Sequence, residues 1–283
     1  MMLVIMNKKN VTILLLSNLI AMFFCIQTIK SFIGSHYALE GIKLSSIHDY
    51  SSSMLNYRKA LGFDPGSGRI RYLYGAMLLN AGRIDEGITE LEKTLKGFKD
   101  IYLYNNLGRA YLEKKMFDKS RYYYEKALQT GIYYLDAMNN FGTVYLQSGE
   151  FDKAIDIFSK IRYYNGDHIL AIENLGKAYL LKGEPEKAVE CFRREVELAE
   201  DKTEALNNLG IACLNAKDYA GATRSFEGAL KIDIKNTKAY NNLGSVYYKK
   251  GEIRKAISLW KRTLQVDQGN EVAKHNIDEA MRH

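Results

Sequence analysis

The chain has 283 residues, with 40 lysines and arginines against 33 aspartates and glutamates, so its formal net charge is +7. Apolar residues make up 47% of the chain, which excludes intrinsic disorder, and its two prolines exclude a long proline-rich linker. Three scattered cysteines are too few for a disulfide framework and form no C-x-x-C zinc or redox motif.

The first predicted element is an apolar helix over residues 11–29. The segment holds no charged residue, and Lys8, Lys9 and Lys30 flank it. Its nineteen residues make about 28 Å of helix, close to the roughly 30 Å hydrocarbon core of a bilayer. A cleaved signal peptide has a shorter apolar region and a small-x-small site, which is missing here. The segment predicts an uncleaved membrane anchor; a cleaved signal and a buried soluble helix are the alternatives.

The charges around this segment predict its orientation. Cytoplasmic flanks favour lysine and arginine. Lys8, Lys9 and the amino terminus lie on one side, and Lys30 and the more distant Lys43 lie on the other. We therefore expect a short N-terminal head, residues 1–10, inside the cell and the rest of this single-pass membrane protein outside the cytoplasm.

A period of 34 residues governs the rest of the chain. An Asn-Asn-Leu-Gly motif or a close variant recurs, and its glycines are Gly108, Gly142, Gly176, Gly210 and Gly244. Twelve positions after each glycine stands a small residue: Ser120, Ala154, Ala188, Ala222 and Ala256. Sixteen positions after it stands an aromatic residue: Tyr124, Phe158, Phe192, Phe226 and Trp260. Small residues let paired helices approach, and large ones fill the space beside them.

This pattern resembles the tetratricopeptide repeat, a helix–turn–helix unit, over about 250 of the 283 residues. The resemblance implies an all-α fold, a right-handed superhelical α-solenoid, preceded here by one transmembrane helix. A single unit cannot bury its own apolar stripe, so the units must stack. We expect about seven units over residues 34–270, starting near residues 34, 68, 101, 135, 169, 203 and 237, and a capping helix over 271–283.

The chain shows no constellation that would carry chemistry. Its five histidines stand far apart, and it contains no H-E-x-x-H, P-loop, G-x-G-x-x-G or G-x-S-x-G motif. The repeats leave no room for a separate catalytic domain. We therefore expect a protein that is not an enzyme and needs no cofactor or metal.

The resemblance implies that the first helices line a groove for a peptide or protein segment. Asparagine occupies the sixth position of six units, and its amide both donates and accepts hydrogen bonds, so this ladder could hold an extended backbone. Alternatively, these asparagines support the turn between helices. The candidate groove residues are Asn105, Asn106, Arg109, Asn139, Asn140, Asn174, Lys177, Asn207, Asn208, Asn241, Asn242 and Asn276.

Two further features leave alternatives open. Tyrosine clusters at residues 122–124, 133–134 and 163–164 suit either ordinary packing or an exposed binding patch. Cys191 and Cys213 suit either two buried thiols or a bridge between adjacent units.

These observations predict a membrane-anchored, non-catalytic scaffold that binds protein or peptide partners and helps assemble an envelope complex of the export, secretion or pilus type. The alternative is a regulatory or substrate-presenting subunit of a membrane enzyme such as a glycosyltransferase. Nucleic-acid binding ranks last, because the lysines form no stripe in the repeat register.

Overall fold

The computed structural model describes residues 8–97, 100–129 and 135–282 of the chain. Within these ranges it contains fifteen helices and no strand, which confirms the all-α solenoid of helix–turn–helix repeats. The helices are α1 Lys8–Ser46, α2 Tyr50–Phe63, α3 Gly68–Asn80, α4 Ile84–Thr94, α5 Ile101–Glu113, α6 Phe117–Leu128, α7 Leu135–Gln147, α8 Phe151–Tyr164, α9 Ile169–Lys182, α10 Pro185–Leu198, α11 Lys202–Asn215, α12 Tyr219–Ile232, α13 Thr237–Lys249, α14 Ile253–Val266 and α15 Glu271–Arg282.

The helices pair in chain order. Odd-numbered helices from α1 to α13 are the first helices of the pairs and even-numbered ones are the second helices, so seven pairs precede α15. The chain divides into two compact units, Met1–Ile132 and Tyr133–His283. Each unit has its own buried clusters; Leu103 and Leu107 lie in the first, and Phe192 and Phe226 in the second.

The helices within a pair approach closely at the periodic glycines. A β-carbon added at Gly210 would lie 2.5 Å from the ring of Phe226, and one at Gly142 would lie 2.6 Å from the ring of Phe158. Ser120 stands where later pairs have alanine, and its hydroxyl donates to the Gly108 carbonyl at 2.7 Å. The glycine and aromatic positions of the repeat are therefore one contact, repeated in every pair except α3–α4, where Gly75 meets Leu91.

Local signals set the ends of these helices. Asp100, Asp201 and Asn236 precede first helices, and each side chain accepts a hydrogen bond from a backbone amide of the first turn. The turn inside each pair contains one residue with positive φ, and this residue is glycine at Gly149 but lysine at Lys217. A left-handed residue ends a helix and reverses the chain, which is why it recurs once per pair.

The longest helix is α1, which joins the expected anchor to the first repeat without a break. Its side chains are exposed and mostly apolar from Leu19 to Phe32, the latter 76% exposed. From Gly34 onward one face packs on α2, where Ala38 is buried. In the described ranges, α1 is the one helix long and apolar enough to cross a membrane.

The last helix covers the end of the second unit. Ala273, Ile277 and Ala280 are buried beside Trp260 of α14, and the rest of α15 is mostly exposed. The helix begins at the expected residue 271, and its role as a cap stays a prediction; His283 lies outside the described residues.

Candidate functional site

The first helices lie on the inner side of each unit. Successive first helices touch one another, namely α1 with α3 and α3 with α5 in the first unit, and α7 with α9, α11 with α13 and α13 with α15 in the second. No two successive second helices of the described ranges make contact to that extent. Successive first helices therefore lie closer together than successive second helices. Since the more closely spaced helices of a bent stack lie on the inside of the bend, the first helices form the inner surface of each unit.

The sixth-position asparagines lie in register on these helices, and all six are partly exposed: Asn106, Asn140, Asn174, Asn208, Asn242 and Asn276. Asn106, Asn174 and Asn208 bond across to the neighbouring pair. The Asn106 amide donates to the Tyr72 hydroxyl at 3.2 Å, and the Asn174 amide donates to Oδ1 of Asn139 at 3.1 Å. Asn208 Nδ2 lies 3.4 Å from Oε1 of Glu195. These side chains therefore hydrogen-bond to the neighbouring repeat and are at the same time partly exposed to solvent.

The fifth-position asparagines of the second unit are buried instead. Asn139, Asn207 and Asn241 are 7%, 3% and 9% exposed, whereas Asn105 in the first unit is half-buried. Asn241 donates to Asn270 at 3.1 Å, and its carbonyl accepts from the Trp260 indole at 3.1 Å. Asn139 and Asn241 therefore join neighbouring repeats by hydrogen bonds, and the partly exposed candidate asparagines of this unit are those of the sixth position.

Asn207 is the exception among these amides, because neither its nitrogen nor its oxygen has a hydrogen-bond partner in the described part of the chain. A buried polar group without a partner costs about 1–3 kcal/mol. Water or a ligand that reaches this amide would offset that cost.

The ninth-position cations of the expected groove are both engaged. Arg109 is exposed and donates to Oδ1 of Asn80 at 3.0 Å. Lys177 pairs with Glu173 one turn earlier on the same helix. The two cations thus lie on the inner side in different units.

Glu195 is a buried acid beside the ladder. It is 4% exposed and occupies the repeat position that Ala127 and Ala229 hold in other pairs. Burial, with a smaller contribution from the negative charge of Glu173, raises the pKa of Glu195 to about 7; the Asn208 hydrogen bond opposes the shift. Burial therefore favours the neutral form of this carboxyl, which lies on the second helix α10 and not on the inner first helices.

Glu195 is not among the residues predicted from the sequence, although its position in the repeat marks it as unusual. A column of residues at 34-residue steps places it in line with alanines and with Thr263, so a carboxylate there breaks the pattern. No group of three or more histidine, cysteine, aspartate or glutamate side chains in the described ranges has metal-binding geometry.

The tyrosine clusters divide between packing and exposure. Tyr124 is fully buried and Tyr123 is 9% exposed, whereas Tyr122 is 52% exposed. Tyr163 and Tyr164 are 86% and 54% exposed at the end of α8. The pair at residues 133–134 lies outside the described residues.

The cysteines are free thiols in this structure. Cys191 and Cys213 are buried at 2% and 1% exposure, and no bridge joins them. Burial raises the pKa of Cys191 to about 11 and also raises the pKa of Cys213. Both behave as small apolar residues, while Cys25 is exposed on α1.

Comparisons with known proteins agree with this geometry. Family models described as tetratricopeptide repeat match residues 101–162, 173–239 and 237–266. A tetratricopeptide repeat protein from Parabacteroides merdae is 16% identical, with a TM-score of 0.68, 88% of this chain covered and 99% of that one. The C-terminal part of a TPR repeat-containing protein from Cytophaga hutchinsonii is 17% identical, with a TM-score of 0.66 and coverages of 85% and 99%.

A third solved structure is a MamA protein, which is 26% identical with a TM-score of 0.52; the match covers 63% of this chain and 94% of that one. No curated protein matches the sequence.

Proposed function

The chain belongs to the tetratricopeptide repeat family, and we propose that it is a membrane-anchored, non-catalytic scaffold whose inner surface binds protein or peptide partners of an envelope complex. The observation that carries the binding proposal is the ladder of half-exposed asparagines. In the second unit these asparagines stand one repeat apart on the first helices, and an asparagine amide group can both donate to and accept from an extended backbone. Protein interaction is the general role of such repeats.

The anchor proposal rests on α1. Leu19, Phe23 and Phe24 are 58%, 58% and 64% exposed, and no other part of the described chain covers them. Apolar surface of this extent is unfavourable in water, and a bilayer would cover it. We assign residues 11–29 to the membrane, with the N-terminal head inside the cell and the repeats outside the cytoplasm.

Fractionation tests the anchor, and protease accessibility tests its orientation. The full chain should stay in the membrane pellet after alkaline carbonate extraction and leave it with detergent. Protease added to intact spheroplasts should digest the repeats. Release by carbonate would contradict the anchor, and digestion only after lysis would contradict the orientation.

Affinity capture from crosslinked membranes tests the scaffold. A variant with Asn174→Ala, Asn208→Ala and Asn242→Ala should lose the captured partners. A matched variant of exposed second-helix residues, with Lys160→Gln, Arg193→Gln and Lys261→Gln, should keep them. Equal capture by both variants would contradict binding at the ladder. Recovery of one stoichiometric enzyme in place of several structural components would favour the regulatory subunit.

A further inference from the structure

One end of the first unit, at the turn between α2 and α3, lies beside the part of α1 that directly follows the apolar segment 11–29. The helix α2 runs antiparallel to α1 and returns to this part of it, because the ring of Phe63 stacks on that of Tyr37 at 5.7 Å. The Ser31 hydroxyl donates to the Asp64 carboxylate at 3.1 Å. Ser31 is only two residues, about 3 Å of helix, past the uncharged segment 11–29. The turn after α2 therefore lies at the expected membrane surface.

The second helix pair shares this end. The helix α3 begins at Gly68, directly after the same turn, and α4 returns antiparallel to it. Arg71 near the start of α3 and Glu90 near the end of α4 are joined at 2.7 Å, which fixes the two ends side by side. Neighbouring helices pack about 8–10 Å apart, so the end of this pair stands close beside α1.

A cationic cavity opens at this end. Its volume is about 480 Å³, which suits a small polar ligand. Its lining includes four cations and two glycines of the turn: Gly66, Gly68, Arg69, Arg71, Lys93 and Lys96. The glycines leave backbone accessible beside the cations, and no carboxylate is part of the lining.

The four cations have two different roles. Arg71 donates to Glu90 at 2.7 Å and to the Pro65 carbonyl at 2.9 Å, and Lys93 also pairs with Glu90 at 2.7 Å. These contacts hold the wall of the cavity in place. Arg69 and Lys96 are exposed, and neither contacts a carboxylate of residues 8–97, 100–129 or 135–282. Glu90 cancels one of the four charges and Asp64, whose carboxylate lies beside Gly66, a second, so this end keeps a net charge of about +2.

We propose that this cavity binds the phosphate of an anionic phospholipid head group in the membrane that α1 enters. Arginine and lysine side chains together bind phosphate oxygens well, and cations near a membrane surface are each attracted to anionic lipid by about 1 kcal/mol, or about fivefold in binding. A bound head group would hold the first unit against the membrane and set the direction in which its repeats leave it. The inference rests on the proposed anchor but not on its orientation.

Hydrogen exchange on the full chain in lipid nanodiscs tests this proposal. Backbone amides of residues 66–71 and 93–97 should exchange more slowly in discs of phosphatidylcholine with phosphatidylglycerol than in discs of phosphatidylcholine alone. The Arg69→Gln, Lys96→Gln variant should bind phosphatidylglycerol about thirtyfold more weakly and lose this protection. A control with Lys249→Gln and Lys261→Gln, which removes equal charge from exposed residues of the second unit, should keep it.

The outcomes separate the possibilities. Equal exchange in the two kinds of disc, or protection retained in the Arg69→Gln, Lys96→Gln variant, would overturn the proposal. Equal protection by inorganic phosphate added to phosphatidylcholine discs would overturn the lipid as ligand and identify a free phosphate site. If the proposed anchor is wrong, a different experiment shows it: carbonate releases the chain from membranes, and the chain does not enter nanodiscs.

Discussion

Replacing Glu195 with glutamine should stabilise the protein, and the gain should depend on pH. Glu195 is 4% exposed, and burial raises its pKa from 4.5 to about 7. The folded protein therefore holds a proton between these two values that the unfolded chain releases. The stability associated with the protonated carboxyl is fully present below pH 4.5 and is lost as the pH rises to 7.

The magnitude follows from the shift in pKa. A shift of about 2.5 units, the difference between 7 and 4.5, corresponds to about 3 kcal/mol at 1.36 kcal/mol per unit. Glutamine is uncharged at every pH and keeps an oxygen that can accept from Asn208. The variant should therefore match the wild type at pH 4.5 and exceed it by up to about 3 kcal/mol at pH 8.

Thermal unfolding of the full chain in detergent, followed by circular dichroism, measures this difference. For a cooperative unit of roughly 150 residues, about 3 kcal/mol raises Tm by roughly 6–12 °C. The exposed Glu190 on the same helix is the control, and its change to glutamine should alter stability by less than about 0.5 kcal/mol. A gain for Glu195→Gln that is equal at both pH values, or absent at pH 8, would refute the buried, proton-binding carboxyl.

Three further substitutions or labels test the packing. Gly210→Ala should lower the free energy of unfolding by about 1–3 kcal/mol in chemical denaturation, because the new methyl group would overlap the Phe226 ring. The control Gly166→Ala, in an open turn, should leave the free energy of unfolding unchanged. Equal effects of the two substitutions would contradict the close approach of Gly210 to Phe226. Lys217→Gly should raise Tm, since a lysine at φ 61° is strained where glycine is not; an unchanged or lower Tm would contradict this reading. Cys191, with its pKa near 11, should react with iodoacetamide only after unfolding, and rapid labelling of the native chain would show that it is accessible.

Much of the fold follows from the 34-residue period. The small and aromatic positions, such as Gly244 and Trp260, meet in the structure as the spacing predicts. The glycine of the intra-pair turn is replaced by lysine at Lys115 and Lys217, so composition alone did not reveal that every pair turns through a left-handed residue. The repeat spacing shows which residues occupy equivalent positions, but it does not show which backbone conformation or contact each position requires.

The candidate site was less predictable, because position in a repeat does not determine burial. Asn207 and Asn208 are adjacent and equally polar, yet the first is 3% exposed and the second is partly exposed. The rotation of each first helix against its neighbours decides between them, and that rotation depends on contacts across repeats. The cationic cavity shows the same limit, since Arg69 and Lys96 come together only through the antiparallel return of α4.

Site-specific photocrosslinking in membranes tests the binding account most directly. A photoreactive residue would be placed in the full chain at Asn174, Asn208 or Asn242 on the inner side, or at Lys160, Arg193 or Lys261 on exposed second-helix surfaces. We predict that the three inner positions capture the same partner polypeptide and that the three outer positions do not. Capture from the outer positions alone, or equally from both sets, would contradict a scaffold that binds through its asparagine ladder.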